Sequence, residues 1–164
     1  MLKFEPGIYL VDKPSGPSSH DIVNYFRRLR GIKRVGHCGT LDPLASGLLI
    51  ILVGREYTKK QNLYLKKDKE YLVKAQLGII TDTYDKTGQI IKATSWQKLQ
   101  EINKTELLKI LPRFKGKIQQ TVPIFSAIKI QGQKLYQKAR KKEKVELPSR
   151  EIEIKKLLLK SFKK

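Results

Sequence analysis

Hydrophobic and polar positions along the chain fall into a few distinct patterns. The stretch IYLVDKP, Ile8 to Pro14, reads as a short strand, and the KPSGPSS that follows stops it because proline and glycine punctuate a ladder. A helix is predicted next. Ser18 and Asp21 have the spacing of a capping box, and Ile22, Val23, Phe26 and Leu29 recur on one helical face, leaving Arg27, Arg28 and Arg30 mostly outside as a basic face. LLIILVG, Leu48 to Gly54, is apolar throughout, the pattern of a strand buried on both faces and therefore central in its sheet.

Further along, Glu70 to Gly78 alternates, with Tyr71, Val73, Ala75 and Leu77 on one side and Lys74 and Gln76 on the other, which predicts a strand beginning at Tyr71. TDTYDKTGQII is a turn-rich link into another strand, and Leu107, Leu108 and Leu111 predict a helix ended by Pro112. QKLYQKARKK reads as helical, and in EIEIKKLLLKSFKK the residues Ile152, Ile154, Leu157 and Leu159 read as strand. No repeat, linker or low-complexity block divides the chain, and 164 residues suit one domain with a real core better than two. The alternating strands and scattered helices predict an α+β fold.

Charge changes this picture. Thirty-five Lys and Arg face 15 Asp and Glu, a formal net charge of +20, while 40% hydrophobic residues are enough for a globular chain. The excess rises toward the C-terminus, where Lys129 to Lys164 hold 13 basic residues against 4 Glu. A polyanion is the partner that such a surface fits, because each neutralised phosphate releases condensed counterions; the competing reading is a solvated lysine-rich surface. The uncharged run Pro43 to Gly54 is far shorter than the about 20 residues that span a bilayer, and MLKFEPG has no signal-peptide core, so the expectation is a cytoplasmic protein with no membrane association. Cys38 cannot form an internal disulfide, and with His20 and His37 it is too small a set for a structural zinc site, so no metal is expected. His37 and Cys38 are neighbours whose side chains diverge, which argues against a Cys-His catalytic pair.

The chemistry-bearing stretch is RVGHCGTLDPLASGLLIILVG, Arg34 to Gly54. Gly36 and Gly39 form a G-x-x-G, the spacing that lets a nucleic-acid backbone approach in a KH module, but Pro43 disfavours the helix that such a loop needs. No G-x-x-x-x-G-K-[ST] cradle for a nucleoside triphosphate is present. Spacing alone favours Asp42, before Pro43, as a turn or capping residue; it favours His37 as a loop histidine and Tyr71 as a core-facing strand aromatic.

The same stretch resembles the catalytic motif of the TruB family of pseudouridine synthases. LVDKPSGPSSHDIV, DKEYLVKAQLGIITDTYDKTGQI and VPIFSAIKIQGQKLYQKAR resemble three further family blocks, in family order and covering nearly the whole chain. The resemblance implies a pseudouridine synthase fold with a mixed, largely antiparallel sheet and flanking helices. It also implies isomerisation of the T-loop uridine of transfer RNA (U55) to pseudouridine, by base flipping and without a cofactor. It makes Asp42 the catalytic residue, Tyr71 the aromatic against the flipped base and His37 a contact to the extruded RNA. Gly36, Gly39 and Gly47 then give the RNA backbone room, and Lys13, Lys129 and a basic helix from Lys134 to Lys142 are candidate phosphate contacts.

Family members continue further, with a K-G-T-Y-I-R-like segment whose arginine pairs with the catalytic aspartate, more strands closing the sheet and often a C-terminal RNA-binding domain. This sequence has no arginine after Arg150. The expectation is therefore an incomplete catalytic domain over residues 1–164, a monomer that binds the T-arm of transfer RNA, with low activity alone and a separately encoded C-terminal portion as partner. The alternative is a non-catalytic RNA-binding or RNA-folding module, or an inactive gene fragment.

Overall fold

The computed structural model describes residues 5–30, 32–126, 128–130, 132–135 and 145–163. The chain divides into two compact units, Met1–Leu72 and Val73–Lys164.

In the first unit, β1 (Gly7–Lys13) is followed by α1 (Ser19–Arg30), β2 (Val35–Cys38) and β3 (Gly47–Val53), then by the short helices α2 (Arg55–Thr58) and α3 (Gln61–Leu65). The sheet order is β1-β3-β2, both pairings antiparallel. The apolar LLIILVG run is thus the middle strand. Leu49, Ile51, Leu52 and Val53 are buried there, whereas Leu48 at the strand's start is 63% exposed.

The capping box is formed, with aspartate in its third position. Ser18 Oγ accepts from the Asp21 amide at 3.1 Å, and Asp21 Oδ2 accepts from the Ser18 amide at 2.8 Å. The Ser18 hydroxyl also donates to Asp21 Oδ2 at 2.6 Å, and this bond first, with that from the Ser18 amide, holds the Asp21 carboxyl below its ordinary value. Val23 and Phe26 of α1 pack with Val35, Leu49, Ile51 and Val53, each buried apolar side chain stabilising the fold by about 1.5–3 kcal/mol. Tyr9, Val11, Ile22, Ile32 and Leu41 surround this core. One expectation for α1 is corrected. Arg27 turns partly inward, its guanidinium donating to the Val35 carbonyl at 3.2 Å and to Asn24 Oδ1 at 3.2 Å, because the strand after the helix offers it an edge carbonyl. Arg28 stays exposed, and the side chain of Arg30 lies outside the described residues.

The second unit contains β4 (Ile79–Thr81) paired with β5 (Ile90–Ala93), α4 (Trp96–Glu101), α5 (Lys104–Ile110) running into a 3-10 turn at Leu111–Phe114, and β6 (Gly116–Thr121). β7 (Lys129–Ile130) pairs with β8 (Gln133–Lys134), and β9 (Ser149–Ile154) pairs with β6. Asn103 caps α5 by accepting from the Glu106 amide at 3.0 Å, and Pro112 sits where that helix tightens, as its missing N–H requires. The architecture is α+β, and every ladder among the described residues is antiparallel.

Two strand expectations are corrected. Residues 69–76 form no strand, with Leu72 89% and Val73 77% exposed: alternation marks a segment able to pair, but a ladder exists only where a second backbone meets its amides and carbonyls. The last strand ends at Ile154 rather than running through Leu159, because its partner β6 ends opposite it at Gly116. The helix expected over Lys134 to Lys142 falls mostly on residues 136–144, outside the described residues.

Candidate active site

The loop between β2 and β3 carries the candidate chemistry, and two glycines set its path. Gly39, at φ +95, turns the chain out of β2, and Gly47, at φ +130, turns it into β3; both lie where a side chain would strain the backbone. Between them, Leu41 packs against the core cluster, and the Ala45 amide donates to the Asp42 carbonyl at 3.0 Å, closing a tight turn with Pro43 inside it. Asp42 is exposed at the head of that turn, and among the described residues its carboxylate accepts no hydrogen bond and meets no cation within ion-pair distance.

The backbone on both sides of Asp42 is held by the segment between β1 and α1. Ser19, 2% exposed, donates from Oγ to the Leu41 carbonyl at 3.0 Å and accepts from the Leu41 amide at 2.9 Å. The Gly16 amide donates to the Pro43 carbonyl at 2.7 Å, and Ser15 Oγ donates to the Leu44 carbonyl at 2.9 Å. Lys13 completes the grip. It is fully buried, and its ammonium donates to the carbonyls of Pro14 at 2.8 Å and Pro17 at 2.9 Å and, more distantly, of Pro43 at 3.5 Å. The expectation that Lys13 contacts phosphate is therefore corrected: a buried ammonium is tolerable only where acceptors surround it, and these carbonyls are its acceptors. KPSGPSS is a turn, as read from the sequence, but its Lys, Gly and Ser also build a cradle for a loop some 25 residues later. The sequence signal for that was small polar residues set between prolines, too common to single out.

His37 is half-buried on β2 opposite Ile51, and its Nδ1 donates to the Gly39 carbonyl at 2.8 Å, which leaves Nε2 free of that bond. The Gln61 side chain donates to the His37 carbonyl at 2.8 Å. Cys38, the next residue on the strand, points to the opposite face, and burial pushes its thiol up, away from a reactive thiolate. A Cβ on Gly36 would meet the Thr58 methyl of α2 at 3.7 Å, an ordinary van der Waals contact. No atom lies within 4 Å of a Cβ placed on Gly47, and Lys69 is 3.9 Å from one on Gly39. Tyr71 is 64% exposed on the irregular segment after α3. The side chain of Lys129 lies outside the described residues. The structure thus places Asp42, Gly39 and Gly47 in one loop with His37 at its entrance, and assigns Lys13 to structural work.

An exposed carboxylate on a loop fixed from both sides is the arrangement that a nucleophile or general base on a bound substrate requires. Residues 27–164 match the family described as TruB family pseudouridylate synthase (N terminal domain). The chain is 45% identical over 141 residues to the tRNA pseudouridine synthase B of Chlamydia muridarum, covering 85% of this chain and 57% of that protein. It is 47% identical over 145 residues to the tRNA pseudouridine synthase B of Bdellovibrio bacteriovorus, covering 88% of this chain and 46% of that one. A chain of the solved Cbf5-Nop10-Gar1 complex aligns over 75% of this chain and 31% of its own, at 22% identity and a TM-score of 0.47. The chain belongs to the TruB family of pseudouridine synthases, and it spans about half the length of the curated relatives it matches. Among the described residues no helix is long and apolar enough to cross a membrane.

Proposed function

We propose that this chain carries the catalytic aspartate of a transfer-RNA pseudouridine synthase acting on the T-loop uridine, with Asp42 as the reacting carboxylate. The observation that carries this reading is the exposed Asp42, which lies in the segment 27–164 that matches the family and is gripped on both flanks by Ser19, Gly16 and Ser15. The reaction breaks the N1–C1′ bond of uridine, turns the base and forms a C5–C1′ bond; the C5 proton leaves and N1 gains one, so the change is an isomerisation without a redox partner. Asp42 attacks the electron-poor ribose carbon or assists loss of the proton, and both roles need a carboxylate held still. The target base lies inside a folded loop and is flipped out to react. Tyr71 stacks on that base, His37 contacts the extruded RNA through its free Nε2, and the +20 chain holds phosphates. The chain acts as a monomer in the cytoplasm.

The test is a T-arm hairpin incubated with the chain, derivatised for pseudouridine and read as a reverse-transcription stop. A stop at the T-loop uridine that depends on Asp42 supports the reading. Modification that persists in Asp42→Asn overturns it, and RNA binding with no Asp42-dependent modification under any condition favours a binding module.

A further inference from the structure

Tyr84 is the one non-glycine residue with positive φ, at 61, among the described residues. It lies in the link from β4 to β5. A bulky side chain in that conformation costs free energy that glycine or asparagine there would largely escape, and such outliers persist only where surrounding structure enforces them. The enforcing structure is visible. Asp85 Oδ1 accepts from Thr83 Oγ at 2.8 Å, from the Thr87 amide at 2.8 Å and from Thr87 Oγ at 2.5 Å, while Thr81 Oγ donates to the Asp85 carbonyl at 2.7 Å. Asp82 Oδ1 accepts from the Gln89 amide at 2.8 Å, and the Tyr84 amide donates to the Thr81 carbonyl at 3.2 Å. Burial does not repay the strain, because Tyr84 is 71% exposed. An aromatic ring is thus presented to solvent on a turn that its neighbours lock, beside exposed Lys86.

We infer that Tyr84 is a stacking platform for an unpaired base of the bound RNA, with Lys86 beside it for a phosphate. The inference rests on the RNA-binding reading above and adds a contact outside the Asp42 loop. Three features favour a base over other occupants. A ring with two rotatable bonds, held on a rigid turn, loses little entropy on contact. Bases stack on aromatic faces whatever their sequence. Although Asp82 and Asp85 stand on the same turn, the Oδ1 of each is held by the turn's own donors, and exposed Lys86 and the +20 net charge of the chain favour a polyanion.

The conformation supplies a clean test, since Tyr84→Gly removes the ring and also the strain. Binding of a fluorescently labelled transfer-RNA T-arm hairpin is measured at several salt concentrations for the full chain, Tyr84→Gly, Tyr84→Phe and Lys86→Ala, with thermal unfolding of each. Expected for Tyr84→Gly is affinity weaker by roughly 5- to 100-fold at every salt concentration, an unchanged salt slope and a Tm equal to or above that of the parent. Tyr84→Phe keeps the affinity, and Lys86→Ala lowers the salt slope by about one. Tyr84→Gly binding within twofold of a parent that does bind overturns the stacking role alone. A Phe variant as weak as the Gly variant overturns it too, by assigning the contact to the hydroxyl. A parent that binds no RNA sinks this inference and the functional reading together, and a Gly variant with lowered Tm and unchanged affinity makes Tyr84 structural.

Discussion

Ser19 holds Leu41 in both directions at once, its buried Oγ donating to the Leu41 carbonyl at 3.0 Å and accepting from the Leu41 amide at 2.9 Å. Twenty-two residues separate them, so a helix N-terminus and a reactive loop are tied by a single hydroxyl next to Asp42. Ser19→Ala leaves both Leu41 groups without that partner. The expected cost is about 1–3 kcal/mol in thermal unfolding, with faster hydrogen exchange at the Leu41 amide. A Tm and an exchange rate both equal to the parent's would mean that the bridge contributes nothing.

Asp42→Asn tests the chemistry with little change in shape. Turnover of a T-arm hairpin is expected to fall on the order of a thousandfold or more, while RNA affinity stays within a few-fold, because the change removes a reactive carboxylate and adds no bulk. Comparable losses in affinity and turnover would make Asp42 a binding residue instead.

The Asp42 backbone is held, but its carboxylate is exposed to water rather than desolvated, so turnover by these 164 residues alone is expected to be slow. Adding in trans the part of the Chlamydia muridarum relative that this chain does not span is expected to raise it. Fast turnover by the chain alone would contradict this expectation.

Lys13→Met distinguishes a structural ammonium from a phosphate contact. Losing the donor to Pro14 and Pro17 is expected to destabilise the fold by about 1–3 kcal/mol, while the salt dependence of RNA binding keeps its slope. A slope reduced by about one at unchanged stability would restore the phosphate reading.

Hydrogen bonds, chiefly from the Thr87 hydroxyl, hold the Asp85 carboxyl below its ordinary value of 3.8. A depressed folded-state value stabilises the turn above pH 3.8 and loses that contribution as pH falls through and below it. The Thr87 amide is therefore expected to lose exchange protection in acid and, in Asp85→Asn, to be less protected at neutral pH with little further change on acidification. Equal protection in parent and variant at both pH values would show that the carboxylate does not hold the turn.

Much of the first unit was legible in the sequence. Continuous apolarity placed β3 in the middle of its sheet, the Ser18–Asp21 spacing started α1, and Pro14 ended β1, because burial period, capping and proline geometry are local properties written in adjacent residues. The family, too, was readable from motifs in order. What the sequence could not decide were facts about partners distant along the chain. Lys13 reads as a surface cation until the carbonyls of Pro17 and Pro43 close around it. Tyr71 to Leu77 alternates like a strand, yet alternation does not supply the second backbone that a ladder needs. Nor does hydrophobic periodicity reveal that Tyr84 is held at positive φ, since that goes with the hydrogen bonds Asp85 makes within the turn. Periodicity marked the apolar faces of α1 and β3; only the tertiary structure decided which groups are covered and what each of them meets.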